Sequence, residues 1–210
     1  MKVFLINIKS DAISGYYKLC YEVLMDYFNK HKIDVFVLNK NEYGVHPSWL
    51  KMKCFDYVDD EFVLCWDMDL LPRKNCPSIV DYLNFDKINL VRDSIFYNRN
   101  IKDIPLIEYF RYNCGLIGIP KQYKNILDTV FSQSKTSTLP AYEQYPMNLE
   151  LSKNQYKDVY ELDRTWNSIF NHIGMDKCFD SKTKMVHYVD MSREIDRHNL
   201  IRFHHSLYFV

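Results

Sequence analysis

The sequence predicts an α/β domain built on a mostly parallel central sheet. Short apolar runs alternate with a helical pattern in the N-terminal part of the chain, and turn residues bound both kinds of segment. An apolar run, a helical stretch and a second apolar run form a β–α–β unit, whose two strands are normally parallel. The 210 residues suit one domain, and 47% of them are hydrophobic, which allows a sizeable core. We therefore expect residues 1–210 to form a single domain.

The predicted β–α–β unit begins at the N-terminus. Residues 3–8 read as the first strand, and Ser10 and Asp11 offer caps for the helix that follows. Apolar side chains recur at helical spacing over residues 12–31, which is typical of a helix that buries one face. Residues 33–38 then form a second short apolar strand.

The rest of the chain continues the mixed pattern. A loop over residues 39–60 carries a short helix at 49–55, a polar loop covers 132–140, and residues 166–170 read as a turn or short helix. The C-terminal segment 192–205 is polar and charged with some helical character. Further strands are predicted at 62–66, 88–93, 112–120, 159–162 and 185–189, and helices at 76–83, 124–131 and 143–151.

Two carboxylates, Asp67 and Asp69, follow the apolar strand 62–66. If the extended geometry persists to Asp69, both point to one side and Met68 points back into the core. Adjacent carboxylates repel each other unless a cation lies between them, and Mg²⁺ and Mn²⁺ bind oxygen ligands while leaving positions for substrate phosphates. In open α/β sheets, ligands bind beyond the carboxyl ends of the strands. The stretch predicts a metal–diphosphate site; the alternative is a water-facing pair that caps the strand.

Charge and cysteine content narrow the function classes. The 27 basic and 27 acidic residues balance, whereas a general nucleic-acid binder carries a basic excess. No run approaches the ~18 apolar residues of a membrane span. The chain opens on a strand-like segment and not on a targeting segment, so we expect a cytoplasmic protein with reduced thiols. No C-x-x-C pair occurs among the cysteines, which are Cys20, Cys54, Cys65, Cys76, Cys114 and Cys178.

Six segments, taken in chain order, carry a resemblance to a known family. They are Ile6-Asn7-Ile8 with Gly15 and Leu19, the strand and turn 62–72, Tyr112-Asn113-Cys114-Gly115-Leu116-Ile117, Glu143-Gln144 with Asn148, Trp166-Asn167, and Val186-His187-Tyr188. This order resembles the glycosyltransferases of the GT-A (Rossmann-like) fold, and most of all the family 8 group of glycogenin and galactosyltransferases. A glycine inside a strand such as 112–120 also marks close approach by backbone or ligand.

The resemblance implies a nucleotide-sugar donor, usually UDP-linked, with Mn²⁺ or Mg²⁺ on its diphosphate. By analogy Asp69 and His187 ligate the metal, and Asp67 contacts both the metal and the ribose. Mn²⁺ accepts imidazole as well as carboxylate ligands, and His187 stands at the end of a predicted strand. The metal would neutralise the charge that develops on the departing diphosphate.

The resemblance also assigns the other residues of the donor and acceptor sites. Glu143 and Gln144 fall near the sugar and its anomeric carbon, and Asn113 and Gly115 line the acceptor side. Tyr16 or Tyr17 could stack on the base, although either suits the core of the helix equally well. The family's Lys-Pro-Trp after the metal histidine is absent, so Arg193 or Arg197 is the candidate to meet the diphosphate. The remaining donor-site residues by resemblance are Asn7, Trp166 and Asn167.

Three interpretations stay open at this point. The favoured one is an active, metal-dependent glycosyltransferase that retains the anomeric configuration, as family 8 enzymes do, and that acts on a glycan, protein or lipid. The second is a catalytically silent GT-A-like domain that binds a nucleotide or glycan; the presence of both carboxylates and His187 argues against it. The third is a phosphohydrolase of the haloacid dehalogenase type, but Leu71 occupies the place of that family's Thr or Val, and two strand–helix elements precede the motif.

Overall fold

The structure is a computed structural model and describes residues 1–8, 14–93, 111–136, 142–170, 180–189 and 194–209. Within these residues, strands form one six-stranded and one three-stranded sheet. The strands are β1 (Lys2–Ile6), β2 (Val35–Leu38), β3 (Phe62–Trp66), β4 (Leu70–Pro72), β5 (Ile88–Arg92), β6 (Tyr112–Pro120), β7 (Val159–Leu162), β8 (Ser168–Ile169) and β9 (Met185–His187).

Helices cover the faces of the large sheet. The α-helices are α1 (Ser14–Lys30), α2 (Cys54–Tyr57), α3 (Lys124–Phe131), α4 (Gln144–Ser152) and α5 (Glu194–Phe209). Short 3₁₀ helices span Pro47–Lys53, Ile79–Tyr82, Lys121–Tyr123 and Arg164–Trp166. None of the helices in the described part of the chain is both long and apolar enough to cross a membrane.

The large sheet is mostly parallel, as the sequence predicts. Its strand order is β2-β1-β3-β6-β5-β7. β1 pairs in parallel with β2 and β3, and β5 pairs in parallel with β7, whereas β6 runs antiparallel to both of its neighbours. The carboxyl ends of β3, β5 and β7 therefore lie at the same end of the sheet, together with the amino end of β6.

Alternating side chains of the strands build two cores, one on each face of the large sheet. Val3 and Leu5 of β1 join the core that contains the apolar stripe of α1, which includes Leu24 and Phe28. Phe4 points the other way, into the core that contains the apolar residues of α3 and α4. This is the two-residue repeat expected of a strand that is buried on both faces.

The sequence predicts only one strand of the small sheet, at 185–189, which is observed as β9. The strand order of this sheet is β4-β9-β8, with Leu70 opposite His187 and Ile169 beside His187. Each of its strands has only two or three residues. Strands this short have too few residues for a period-two pattern to stand out.

Two local predictions are wrong. The helix expected over 76–83 shrinks to the 3₁₀ turn Ile79–Tyr82, because the Tyr27 hydroxyl donates to the Pro77 carbonyl (2.8 Å) and accepts from the Ile79 amide (2.9 Å). The turn or short helix expected over 166–170 becomes the end of Arg164–Trp166, capped by Asp163, followed by β8.

Other boundaries shift by a few residues or fall outside the description. The tail expected at 192–205 is helix α5 as far as Phe209, and the short helix at 49–55 divides into Pro47–Lys53 and α2. The predicted caps Ser10 and Asp11 lie outside the described residues, as does Cys178. The described cysteines are free and buried thiols, namely Cys20, Cys54, Cys65, Cys76 and Cys114.

A buried histidine fastens α5 to the small sheet. His204 Nε2 lies 2.9 Å from the Pro72 carbonyl oxygen, which can only accept, so Nε2 carries the proton. Nδ1 then accepts from the Tyr188 hydroxyl at 2.8 Å. The neutral ring satisfies both partners, and α5 also packs along α1.

The folded protein should lose stability in mild acid through His204. Burial is the main reason that the pKa of His204 falls to about 4 from its ordinary 6.5. As the pH drops below about 6.5, the unfolded chain protonates this ring and the folded chain does not, so stability falls until about pH 4. Between pH 7 and pH 4.5 the ring should account for about 2 kcal/mol of the loss.

Urea unfolding at the two pH values measures this loss. His204→Gln keeps a donor and an acceptor but cannot titrate, so its loss between pH 7 and pH 4.5 should be smaller than that of the wild type. Equal losses in the two proteins would show that another group titrates.

Candidate metal and sugar site

The two aspartates stand on a turn that joins the large sheet to the small one. The extended geometry that we expected as far as Asp69 ends at Trp66, because the Leu70 amide donates to the Asp67 carbonyl (3.1 Å) and closes a turn. The Asp67 amide donates to the Gly115 carbonyl of β6 (2.9 Å), which fixes the start of the turn. Met68 is buried in the core, as predicted.

Asp67, Asp69 and His187 come together at the carboxyl end of β3. One ligand atom from each lies within 4.8 Å of the others. His187 Nε2 is 3.3 Å from Asp69 Oδ1 and 3.8 Å from Asp67 Oδ2. The His187 side chain is buried, whereas the carboxylates of Asp67 and Asp69 remain 30% and 19% exposed, so a ligand from solution can reach them.

A relay of amides sets the tautomer of His187. The Gly115 amide donates to Asn113 Oδ1 at 2.8 Å, which makes that oxygen an acceptor. Asn167 must then donate its Nδ2 to the same oxygen (2.8 Å), and its own Oδ1 faces His187 Nδ1 at 2.8 Å. Nδ1 therefore carries the proton, and the lone pair of a neutral ring is left on Nε2.

His187 Nε2 fits a metal ligand. It is buried, and among the described residues it has no hydrogen-bond partner. A lone pair beside two carboxylates is repulsive unless a proton or a cation lies between them. Two carboxylates and an imidazole held by its other nitrogen form a donor set that suits Mn²⁺.

Gly115 is the position against which the His187 ring lies. A Cβ added there would stand 2.3 Å from His187 Cε1, far inside contact distance. The close approach expected of a glycine inside this strand is therefore confirmed. Any side chain at this position would displace the imidazole.

Lys51 is a residue of the site that the sequence reasoning missed. Its ammonium lies 2.8 Å from Asp67 Oδ1 and 2.8 Å from Glu143 Oε1, and it donates to the Cys114 carbonyl at 2.8 Å. The side chain is only 2% exposed. Burial alone would lower the pKa of Lys51, but the two carboxylates outweigh burial and raise it. The available signal was a lysine inside an apolar stretch, between Leu50 and Met52.

Gln144 and Asn148 fasten α4 to β6. Gln144 Oε1 accepts from the Cys114 amide (3.2 Å), and its Nε2 donates to Asp93 Oδ2 (3.2 Å). Asn148 bonds both the amide and the carbonyl of Tyr112, at 2.8 Å each. Asp93 also accepts from Asn113 Nδ2 at 3.4 Å. The sequence reasoning missed Asp93, although it directly follows β5 at the same end of the sheet as Asp67.

An arginine and two tyrosines lie on the other side of Asp69. Arg197 Nη1 is 4.0 Å from Asp69 Oδ2 and donates to the Tyr16 hydroxyl at 3.2 Å. Tyr16 is buried and stacks on Tyr17 with ring centroids 5.1 Å apart. Arg193, the other candidate to meet a diphosphate, lies outside the described residues.

The two aspartates differ in acidity. Burial raises the pKa of Asp67 in spite of Lys51 and His187. Burial acts in the same direction on Asp69, but Arg197 and the protonated form of His187 outweigh it, so the pKa of Asp69 lies below its ordinary value. Asp69 is therefore the more strongly ionised of the pair.

The two remaining residues expected at the donor site, Asn7 and Trp166, make contacts with other residues. Asn7 follows β1 and donates its Nδ2 to Asn39 Oδ1 at 3.2 Å. The Trp166 ring is fully buried and packs on Tyr82, with centroids 5.0 Å apart. It is the neighbouring Asn167 that reaches His187.

Comparison with known proteins places the fold. No family model and no curated protein sequence matches the chain. A glycosyltransferase involved in the glycosylation of the major capsid of PBCV-1 has a similar structure, with a TM-score of 0.72 at 12% identity over 96% of this chain and 100% of that one.

Two further solved structures agree. The galactosyltransferase LgtC, in complex with donor and acceptor sugar analogs, gives a TM-score of 0.65 at 13% identity over 98% of this chain and 95% of that one. The glycosyltransferase GlyE of Streptococcus pneumoniae gives 0.63 at 10% identity over 97% of this chain and 60% of that one. The chain thus has the fold of family 8-type glycosyltransferases, as the motif order predicts.

Loss of the fully buried Lys51 ammonium should destabilise the protein far more than loss of the Lys53 ammonium, whose side chain is 16% exposed. Lys51→Met leaves Asp67 and Glu143 without their shared counter-ion, which should cost about 3 kcal/mol or more of the free energy of unfolding. Lys53, two residues on in the same 3₁₀ helix, pairs with Asp56 and Asp128 near the surface, so Lys53→Met should cost about 1 kcal/mol or less. Urea unfolding of the two variants measures the difference, and similar small losses would contradict the role given to Lys51.

Proposed function

We propose that this chain is a metal-dependent glycosyltransferase that transfers a sugar from a nucleotide-diphosphate donor, UDP-linked, to an acceptor. The observation that carries the proposal is the Asp67–Asp69–His187 triad, in which a lone pair of His187 faces two carboxylates. The triad stands at the carboxyl end of β3, where ligands bind in sheets of this kind. The similar fold of solved glycosyltransferases supports the same reaction class.

The triad would hold Mn²⁺ or Mg²⁺. A bound cation would neutralise the negative charge on the departing diphosphate. The chain contributes positive charge of its own, since Arg197 stands 4.0 Å from Asp69 on the side of Tyr16 and Tyr17. In this arrangement Arg197 would meet the phosphates and a tyrosine would meet the base, while Asp67 would contact the ribose.

The sugar would lie on the side of Glu143 and Gln144. Lys51 lies 2.8 Å from the Glu143 carboxylate and also pairs with Asp67, and Gln144 is held by the Cys114 amide and Asp93. Asn113 and Gly115, which are both in β6, would lie on this side of the site as well. A hexose donor and retention of the anomeric configuration complete the proposal; the family resemblance supports retention, and the similar fold of a galactosyltransferase supports the hexose.

Metal-dependent donor binding tests the proposal. The protein is melted with UDP, GDP, CDP or ADP, each with and without Mn²⁺ or Mg²⁺, because a ligand of the folded state raises the melting temperature by mass action. We expect UDP to raise the melting temperature, and only when the metal is present. A shift without metal dependence, or none at all, would instead fit a silent domain.

Asp69→Ala should abolish the metal-dependent shift and leave the metal-free melting temperature close to that of the wild type. Asp69 is one of the two carboxylates of the triad, so its loss removes both a ligand atom and a negative charge from the site. Asp59→Ala is the control, since that carboxylate is 97% exposed and pairs with Lys121. An equal metal-dependent shift in the wild type and Asp69→Ala would exclude the metal assignment.

His187→Ala should weaken the same shift less than Asp69→Ala does, because the imidazole is a neutral ligand.

Asn167→Ala should weaken metal binding by about 10-fold or more through the orientation of His187. Titration of Mn²⁺, followed by its paramagnetic effect on water relaxation, gives the three affinities. An Asn167→Ala variant with wild-type Mn²⁺ affinity would show that the amide relay does not set the ligand.

A further inference from the structure

A cavity of about 440 Å³ opens at the end of the small sheet opposite to the metal triad. In the β4–β9 pair, Leu70 lies opposite His187 at the end that carries the triad. The cavity lies at the other end, where the Arg73 amide donates to the Lys184 carbonyl at 2.9 Å and both residues line the wall. The three residues of β4 separate Asp69 from Arg73, so their Cα atoms are about 10 Å or more apart along the strand. The cavity is therefore a separate site.

Positive charge is concentrated in this cavity. The described residues that line it include Arg73, Lys74, Lys182 and Lys184, and none of the lining residues is an aspartate or a glutamate. The whole chain has 27 basic and 27 acidic residues, so the cavity holds a local excess of positive charge. Its volume is in the range of pockets that enclose a small molecule.

Three of these cations, Arg73, Lys74 and Lys182, are available to a ligand. Arg73 donates Nη1 to the carbonyl oxygen of Asp180, an uncharged acceptor, and its guanidinium pairs with no carboxylate of the described residues. The ammonium groups of Lys74 and Lys182 form neither a hydrogen bond nor a salt bridge with any part of the chain that the structure describes. The three side chains therefore carry charge that no such partner neutralises.

Lys184 and Asp180 are engaged in other contacts. Lys184 donates Nζ to Thr165 Oγ1 at 3.0 Å, so it adds positive charge without being free to follow a ligand. Asp180 Oδ1 accepts from the amides of Lys182 (2.8 Å) and Thr183 (2.9 Å), which closes the loop that carries Lys182. One carboxylate beside four cations leaves the surroundings positive.

The floor of the cavity is neutral. Both ring nitrogens of His204 are used in the contacts described above, and Tyr208 beside it is buried. On α1, Lys30 donates Nζ to the Lys74 carbonyl at 3.2 Å and Asp26 lies beside the Tyr208 hydroxyl, so these two charges of the helix cancel. The excess charge thus stands at the mouth, where Lys74 is exposed.

We propose that this cavity binds a phosphate group, carried by a small molecule or by a lipid headgroup, through Arg73, Lys74 and Lys182. A phosphate monoester carries a charge of about −1.5 to −2 at neutral pH and three strong acceptor oxygens. A guanidinium can donate to two of those oxygens at once, and an ammonium pairs with phosphate as a point charge. The inference does not rest on the proposed function, because neither the triad nor Arg197 lines this cavity.

Anion binding to the full chain tests the site. Inorganic phosphate and pyrophosphate are titrated, after divalent cations have been removed on a chelating resin, and binding is followed by phosphorus NMR. At least one of the two anions should bind the wild type. Lys74→Gln/Lys182→Gln should weaken that binding by about tenfold or more, because two charge-assisted contacts are lost.

A second double variant controls for charge in general. Lys18→Gln/Lys40→Gln removes the same two charges from side chains that are both 81% exposed and lie outside the cavity. It should bind the anion within about twofold of the wild type, since salt screens distant surface charges. The melting temperature should be close to that of the wild type in both double variants, because all four lysines are exposed.

Vesicles identify the carrier of the phosphate group. Phosphatidylcholine vesicles with and without phosphatidic acid are sedimented with the wild type and with both double variants. Co-sedimentation that needs phosphatidic acid and is lost only in Lys74→Gln/Lys182→Gln would support the site and assign it to a lipid headgroup. Binding of the free anions with the same variant dependence, and without vesicle binding, would support the site and assign it to a soluble ligand.

The remaining outcomes overturn the site. They are binding of neither anion and of no phosphatidic acid vesicle, and binding that the two double variants weaken equally or not at all. The metal-dependent UDP shift should be unchanged in Lys74→Gln/Lys182→Gln. Because the anion titration contains no divalent metal, its result stands whether or not the UDP shift is found, so failure of this inference and failure of the transferase are distinguishable.

Discussion

The site depends on one buried ammonium. Lys51 holds together the end of β3 through Asp67, the start of α4 through Glu143 and the backbone of β6 through Cys114. Removing one partner of a buried ion pair leaves an uncompensated charge in a medium that solvates it poorly. The chain therefore cannot fold its large sheet and α4 around this lysine without also bringing Asp67 and Glu143 to one place. Packing of the core around Lys51 also brings these two carboxylates of the site together.

β6 gives the site its geometry. It is the one strand of the described large sheet that runs against its neighbours, so its amino end meets the carboxyl ends of β3 and β5. Asn113 begins the relay that fixes the tautomer of His187, and Gly115 leaves room for the ring. Groups held in this way need little reorganisation to bind a ligand, which is what electrostatic preorganisation requires.

The sequence identified what is continuous along the chain and missed what depends on distant contacts. Strands 62–66 and 112–120 have the predicted bounds, since each is an unbroken apolar run with clear ends. The sequence predicts β9 of the small sheet but not β4 or β8, which have only three and two residues. The helix expected at 76–83 is replaced by a 3₁₀ turn that Tyr27 holds. Asp67, Asp69 and His187 could be picked out because motif order set them in context. Lys51 could not, because a lysine among apolar residues gives no hint of which carboxylates, 16 and 92 residues away, will share it.

The division of the triad between two sheets has a mechanical consequence. Asp67 directly follows β3 of the large sheet, whereas His187 belongs to the small sheet, and a three-residue turn joins β3 to β4 of the small sheet. An atom that bridges these two side chains would also link the large sheet to the small sheet. A bridging ligand would therefore add a cross-link beside the Asn167–Asn113 hydrogen bond that already joins the two sides, so that ligand occupancy and the rigidity of this end of the large sheet would rise together.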